Sequence, residues 1–124
     1  MKSEKNCFAD STFLIDLAKG VKEAKSIRKK AKIISTSKLC VYELAKFSGF
    51  DLDKVDENKT EHLELGDIRK AGDIYRELRR KGEMINQIDI LIASQAIKRD
   101  KKLLTADSDF KKIEEVETRF YREI

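Results

Sequence analysis

The sequence predicts an α/β fold in which a mostly parallel sheet is covered on both faces by helices. Three observations lead there. Brief apolar runs at residues 7–9, 33–34 and 103–105 have the length of buried strands. Segments whose apolar residues recur at helical spacing separate these runs. No two strand-like runs are joined by a tight-turn dipeptide, so hairpins are not expected.

In chain order, a charged hexapeptide precedes Cys7-Phe8-Ala9, the first strand. Asp10-Ser11-Thr12 supplies capping side chains for a helix with Leu14, Leu17, Ala18 and Val21 at helical spacing, broken near Gly20. A basic helix is predicted over 22–31. Ile33-Ile34 is the next apolar run, and Ser35-Thr36-Ser37 reads as the cap of a third helix reaching Ser48, before Gly49. Residues 51–67 are acidic and turn-rich, with a short helix and a strand expected near 62–65. An amphipathic helix over 67–81 turns Ile68, Ala71, Ile74, Tyr75 and Leu78 inward and ends at Gly82. Residues 88–98 are almost continuously apolar, as a buried helix would be. A strand at 103–105, a short helix at 108–113 and a strand at 116–121, alternating Val116, Thr118 and Phe120, complete the order.

Composition narrows the function classes. The 124 residues make one domain, with 40% hydrophobic residues for its core and another 40% charged. A surface so dense in both signs of charge is a habit of thermophile proteins, although the absence of Pro runs against it. Net charge is +4 and the pI about 9.0, a mild preference for polyanions. Lys19, Lys22, Lys25, Arg28, Lys29, Lys30 and Lys32 form one basic cluster against Glu23, and Arg76, Arg79, Arg80 and Lys81 a second. Either cluster reads as a solvated helix face or as a phosphate-binding surface. Cys7 and Cys40 lie apart with no CxxC, which argues against zinc and for buried thiols in a reducing compartment. No apolar run spans a membrane and the N-terminus lacks a signal-peptide core, so a cytoplasmic protein without membrane contact is expected. The lone histidine, His62, falls in the turn-rich segment and reads as a surface residue.

Four acids break their local patterns. Asp10 ends the first strand and Asp107 follows the strand at 103–105, with Asp109 two residues on. In an open parallel sheet, ligands bind beyond the carboxyl ends of the strands. Glu43 lies on a helix beside the apolar stripe of Cys40, Leu44 and Phe47, and Asp89 opens the most apolar helix between Ile88 and Ile90. Each acid alone has an ordinary reading: Asp10 and Asp89 as helix caps, Glu43 as half of an ion pair, Asp107 as a turn residue. Together they suggest a site for a hard divalent cation, which relieves carboxylate repulsion and can bind a phosphodiester and lower the pKa of a water. No Ser/His/Asp arrangement competes with this reading.

These stretches resemble the four motifs of the PIN domain family, and in particular its small VapC-like toxins. "FADSTFLIDL" is similar to the opening motif, with Asp10 implied as a metal ligand and Thr12 as its supporting hydroxyl. "STSKLCVYELAKF" resembles the second, carrying Glu43; "INQIDILIASQAI" the third, carrying Asp89; and "LLTADSDFKKI" the last, with Thr105, Asp107 and Asp109. The third motif departs by having Asn86-Gln87 where a Pro or Gly is common. Asp16, inside the first motif, is placed outward by helical spacing and reads as solvated. The resemblance covers residues 7–121 and implies a three-layer α/β/α sandwich. It implies catalysis by Asp10, Glu43, Asp89 and Asp107, with Mg²⁺ or Mn²⁺ held by Asp10, Asp89 and Asp107. It further implies endoribonuclease activity on RNA, a homodimer and a small inhibitory antitoxin. A PIN nuclease of RNA maturation or surveillance is the alternative. A receiver-type phosphoacceptor domain fits poorly: Asp10 has no acidic neighbour, and an acid stands where the essential Lys would follow the last core strand. A catalytically silent binding module would not need all four acids.

Overall fold

The computed structural model describes residues 6–122; the charged residues 1–5, read above as lacking a signal-peptide core, and residues 123–124 lie outside this range. Five strands, β1 (Asn6–Ala9), β2 (Ile33–Ser37), β3 (Thr60–Glu61), β4 (Lys102–Thr105) and β5 (Thr118–Phe120), form one sheet in the order β3-β2-β1-β4-β5. Every pairing is parallel, going beyond the mostly parallel expectation. Five helices connect them: α1 (Ser11–Ala18), α2 (Lys22–Lys30), α3 (Lys38–Ala45), α4 (Leu65–Lys81) and α5 (Gln87–Lys98).

Strand alternation divides the core. Phe8 and Leu103 point to a cluster with Cys40, Ala71, Ile74, Leu78, Ile92 and Phe110, beneath α3, α4 and α5. Cys7, Ala9 and Leu104 point the other way, to Phe13, Ala24, Ile27 and Tyr121, beneath α1 and α2. This is the expected three-layer α/β/α sandwich. β1 lies at the centre, with β2 and β4 on opposite sides, so the chain reverses its direction of winding there and opens a crevice at the carboxyl ends of β1 and β4.

Several boundaries differ from expectation, each for a physical reason. Ser35 and Thr36 are strand residues whose backbones continue the β1–β2 ladder, so Ser37 alone caps α3. α3 ends at Ala45, not Ser48, and Phe47, expected on its buried stripe, is 59% exposed. The strand expected at 62–65 is Thr60–Glu61, between a 3₁₀ turn at Glu57–Lys59 and the start of α4. The segment 116–121 narrows to β5, and Ser108–Lys112 is a 3₁₀ turn. Ile68 is 48% exposed, because α4 packs through Ala71, Ile74 and Leu78. Gly82 ends α4 at φ 69°, a left-handed cap that a side chain would strain. Cys7 and Cys40 are buried and not joined by a disulfide, and His62 is exposed, as expected. No helix among the described residues is long and apolar enough to cross a membrane.

Asp67 and Arg99 fasten the helical layer. Arg99, at the C-cap of α5, forks onto Asp67 at 2.8 and 3.0 Å and reaches Glu61 at 3.1 Å. Asp67 also accepts the Glu64 amide at 2.9 Å, completing a capping box for α4. Burial alone would raise the Asp67 pKa, but Arg99 and the amide more than reverse this and hold it below the usual range. Replacing Arg99 by Met leaves that buried carboxylate without its cation. Arg99→Met is therefore expected to lower unfolding free energy by about 3 kcal/mol in urea titration; a loss below about 1 kcal/mol would show the pair to be incidental.

Candidate metal centre

Asp10 stands where β1 becomes α1. Its backbone N–H extends the β1–β4 ladder to Leu104 O at 3.1 Å, and its side chain caps α1. Oδ1 accepts from the Phe13 amide at 3.1 Å and the Thr12 hydroxyl at 2.7 Å, and Oδ2 accepts a short hydrogen bond from the Thr105 hydroxyl. Thr12 accepts the Ala106 amide at 3.0 Å, and Thr105 accepts the Asp107 amide at 2.9 Å. The two threonines thus fasten the ends of β1 and β4 to one carboxyl that is 2% exposed. Burial raises the Asp10 pKa to about 6, against these hydrogen bonds, with a further push from the charge of Asp107.

The other acids reach the same crevice from separate elements. Glu43, on α3, accepts from the Ser11 hydroxyl at 3.2 Å and lies 3.9 Å from Lys46. Asp107 caps the 3₁₀ turn after β4 by accepting the Asp109 amide at 2.9 Å, and Asp109 lies 3.7 Å from Lys112. Asp89, half-buried in the first turn of α5, shows how near these groups are. Its pKa is pushed up to about 7, first by burial and then by the charges of Asp107, Asp10, Glu43 and Asp109 in turn. The charged groups acting most strongly on it are all acids. Asn86 caps α5, so Asp89 is not the helix cap.

The predicted residues therefore share one electrostatic neighbourhood at the switch between β1 and β4. Among the described residues, no group of three or more His, Cys, Asp or Glu side chains is arranged so as to hold a metal ion as it stands. The donor set suits a hard cation in its chemistry: carboxylate oxygens, with threonine hydroxyls orienting one of them. Cys40, whose thiol lies 3.8 Å from Ala9 O beneath the crevice, is pushed up to about 12 by burial and stays protonated.

Asp16 overturns its solvated reading. It is 7% exposed and accepts from the Tyr121 hydroxyl at 2.6 Å and Arg122 Nε at 2.8 Å. The signal was its spacing: Asp16 is three residues after Phe13, which anchors the buried face of α1. Tyr121, Arg122 and Ser11 were not singled out either, because their partners lie 105, 106 and 32 residues away in sequence.

A model of the PIN domain family matches residues 7–116. No curated protein matches the sequence. Among solved structures, a chain of VapBC from Salmonella typhimurium, bound to DNA, superposes with a TM-score of 0.79 at 16% identity, covering 94% of this chain and 98% of that one. A chain of VapBC2 from Rickettsia felis, bound to a fragment of promoter DNA, gives 0.70 at 20% identity, covering 90% and 96%. A chain of FitAcB from Neisseria gonorrhoeae gives 0.79 at 13% identity, covering 90% and 95%.

The raised carboxyls have a consequence for stability. Between the ordinary Asp value of 3.8 and the folded values of about 6 and 7, the folded state holds more protons than the unfolded chain. Their contribution to stability therefore falls as pH rises through that window. Asp16 and Asp67, both shifted downward, oppose this only as pH falls toward 3.8 and below. In EDTA, wild type should melt higher at pH 5 than at pH 7.5, and Asp89→Asn should flatten the difference. Equal pH dependence in the two proteins would mean that Asp89 does not bear the charge of its neighbours.

Proposed function

The chain belongs to the PIN domain family, and on that premise we propose that it is a Mg²⁺- or Mn²⁺-dependent endoribonuclease acting as the toxin half of a toxin–antitoxin pair. The observation that carries this reading is that Asp89, on α5, has its pKa raised first by burial and then by the charges of Asp107, Asp10 and Glu43, which come from three other parts of the chain. Such a field disfavours the ionised acids in the protein alone and favours them with a divalent cation. Asp10, Asp89 and Asp107 would hold the cation, with Thr12 and Thr105 fixing Asp10 and Asp109 standing close behind. When bound, the cation would neutralise this charge, draw in a phosphodiester and make a water acidic enough to attack it.

The remaining work falls to the chain itself. Glu43 is not counted among the metal-holding three; held by Ser11 and facing Asp89, it would orient the attacking water and accept its proton. The Lys- and Arg-rich α2 would give a polyanion a positive surface to follow, whereas at the end of α4 Arg76, Arg80 and Lys81 are paired with Asp73, Glu77 and Glu114. The structural neighbours come from VapBC and FitAcB assemblies, which supports a small protein partner for this chain; a homodimer acting in the cytoplasm completes the proposal.

Purified protein should cleave single-stranded RNA with Mg²⁺ or Mn²⁺, leave 5′-phosphate ends and stop in EDTA. Asp89→Asn should fold normally and lose activity by ~10²-fold or more, since it removes a charge without changing shape. Cleavage by Asp89→Asn at the wild-type rate would place the site elsewhere. Expressed alone, wild type should arrest growth while Glu43→Gln should not, and a small partner encoded alongside should restore growth. Harmless wild type that still cleaves RNA would favour a nuclease of RNA maturation.

A further inference from the structure

Two groups of hydrogen bonds meet on α1, one at the buried Asp10 and one at Asp16, and part of the second lies outside the four motifs. Thr12 and Asp16 are one turn apart on the same face of α1. The Tyr121 hydroxyl donates to Asp16 Oδ2 at 2.6 Å. Arg122 Nε donates to the same Asp16 oxygen at 2.8 Å from a largely exposed position. The Phe13 ring meets the Tyr121 ring edge-on, with centroids 5.1 Å apart and planes at 84°. Thr12 donates to Asp10 Oδ1.

These contacts close a mechanical loop. Tyr121 directly follows β5, which pairs with β4; β4 carries Thr105, which donates to Asp10; Asp10 caps α1; and α1 returns to Tyr121 through Asp16. α1 has eight residues, and its two buried side chains are Phe13, in the core, and Asp16, three residues on. Burying a carboxylate there costs stability unless it is paired. Asp16 is paired twice, which holds it in the ionised state below the usual carboxylate range despite its burial.

We propose that Tyr121, anchored by Asp16 and Arg122, is a positioning residue for the acid cluster: it fixes the rotation of α1 and so aims Thr12 and Asp10 into the crevice. The inference rests on the metal-site reading above but makes a separate claim about how the apo site is built. Loss of the phenol oxygen leaves the ring packed on Phe13, so Tyr121→Phe keeps the fold while releasing the rotation. Asp16→Asn weakens the same contact from the α1 side.

The test pairs two measurements on the full chain. In metal-free protein, amide hydrogen exchange should quicken in both variants at Phe13, which donates to Asp10, and at Ala106, which donates to Thr12, while the amides of α4 keep wild-type protection. In calorimetric titration with Mn²⁺, each variant should bind ~10-fold more weakly, the scale typical of outer groups that orient ligands, and the double variant no more weakly than either single one. Leu78→Ala, in the core on the other face of the sheet, should melt lower yet keep wild-type Mn²⁺ affinity, separating positioning from general stability. Unchanged exchange at Phe13 and Ala106 in Tyr121→Phe would overturn the inference whether or not Mn²⁺ binds. So would wild-type Mn²⁺ affinity in Tyr121→Phe. Failure of wild type to bind Mn²⁺ at all would instead sink the metal reading, with the exchange data still deciding the role of Tyr121.

Discussion

The carboxyl of Asp10 is the junction on which the geometry of the crevice depends. It ends β1, caps α1 and receives hydrogen bonds from Thr12, the Phe13 amide and Thr105. Through Thr105 it is tied to β4, and through the amides that Thr12 and Thr105 accept it sets where Ala106 and Asp107 leave the sheet. Neutral residues could satisfy many of these partners. A carboxyl in this position does so at the cost of burial, which these neutral donors offset only in part, and its pKa stays raised.

Asp10, Asp16, Asp67 and Asp89, all buried or half-buried, are handled in two opposite ways. Asp16 and Asp67 each face an arginine, and their pKa values fall below the usual range despite burial. Asp10 faces hydroxyls and an amide, Asp89 faces other acids, and both values rise. The first pair answers a structural need, joining α1 to the C-terminal segment and α4 to α5. The second pair leaves negative charge concentrated where the parallel sheet opens. Among the described residues, the charges acting most strongly on Asp10 and Asp89 are those of other acids, the reverse of the arginine pairing at Asp16 and Asp67.

Much of this was legible from local pattern, because parallel strands buried on both faces are short apolar runs and the acids that follow them stand out. The order of elements and the crevice could be read that way, and Asp10, Glu43, Asp89 and Asp107, the acids of the proposed site, stand out by the same pattern. Boundaries failed where a tertiary partner overrode local chemistry: Ser35 and Thr36 look like cap residues but are held in the β1–β2 ladder. Phe47 and Ile68 look like core residues, yet α3 ends before one and the other lies off the packed face of α4. Asp16 was misread because its partners, Tyr121 and Arg122, lie at the far end of the chain. The pairing of Asp67 with Arg99, 32 residues apart, was hidden for the same reason.

The central claim is that the acids at the ends of β1 and β4 form one cation site. Crystals grown with Mn²⁺ and measured at the manganese absorption edge test it most directly. The account predicts a single anomalous peak shared by Asp10, Asp89 and Asp107, lost in an Asp10→Asn, Asp89→Asn double variant. A peak at another place on the chain, or one that survives in the double variant, would contradict it.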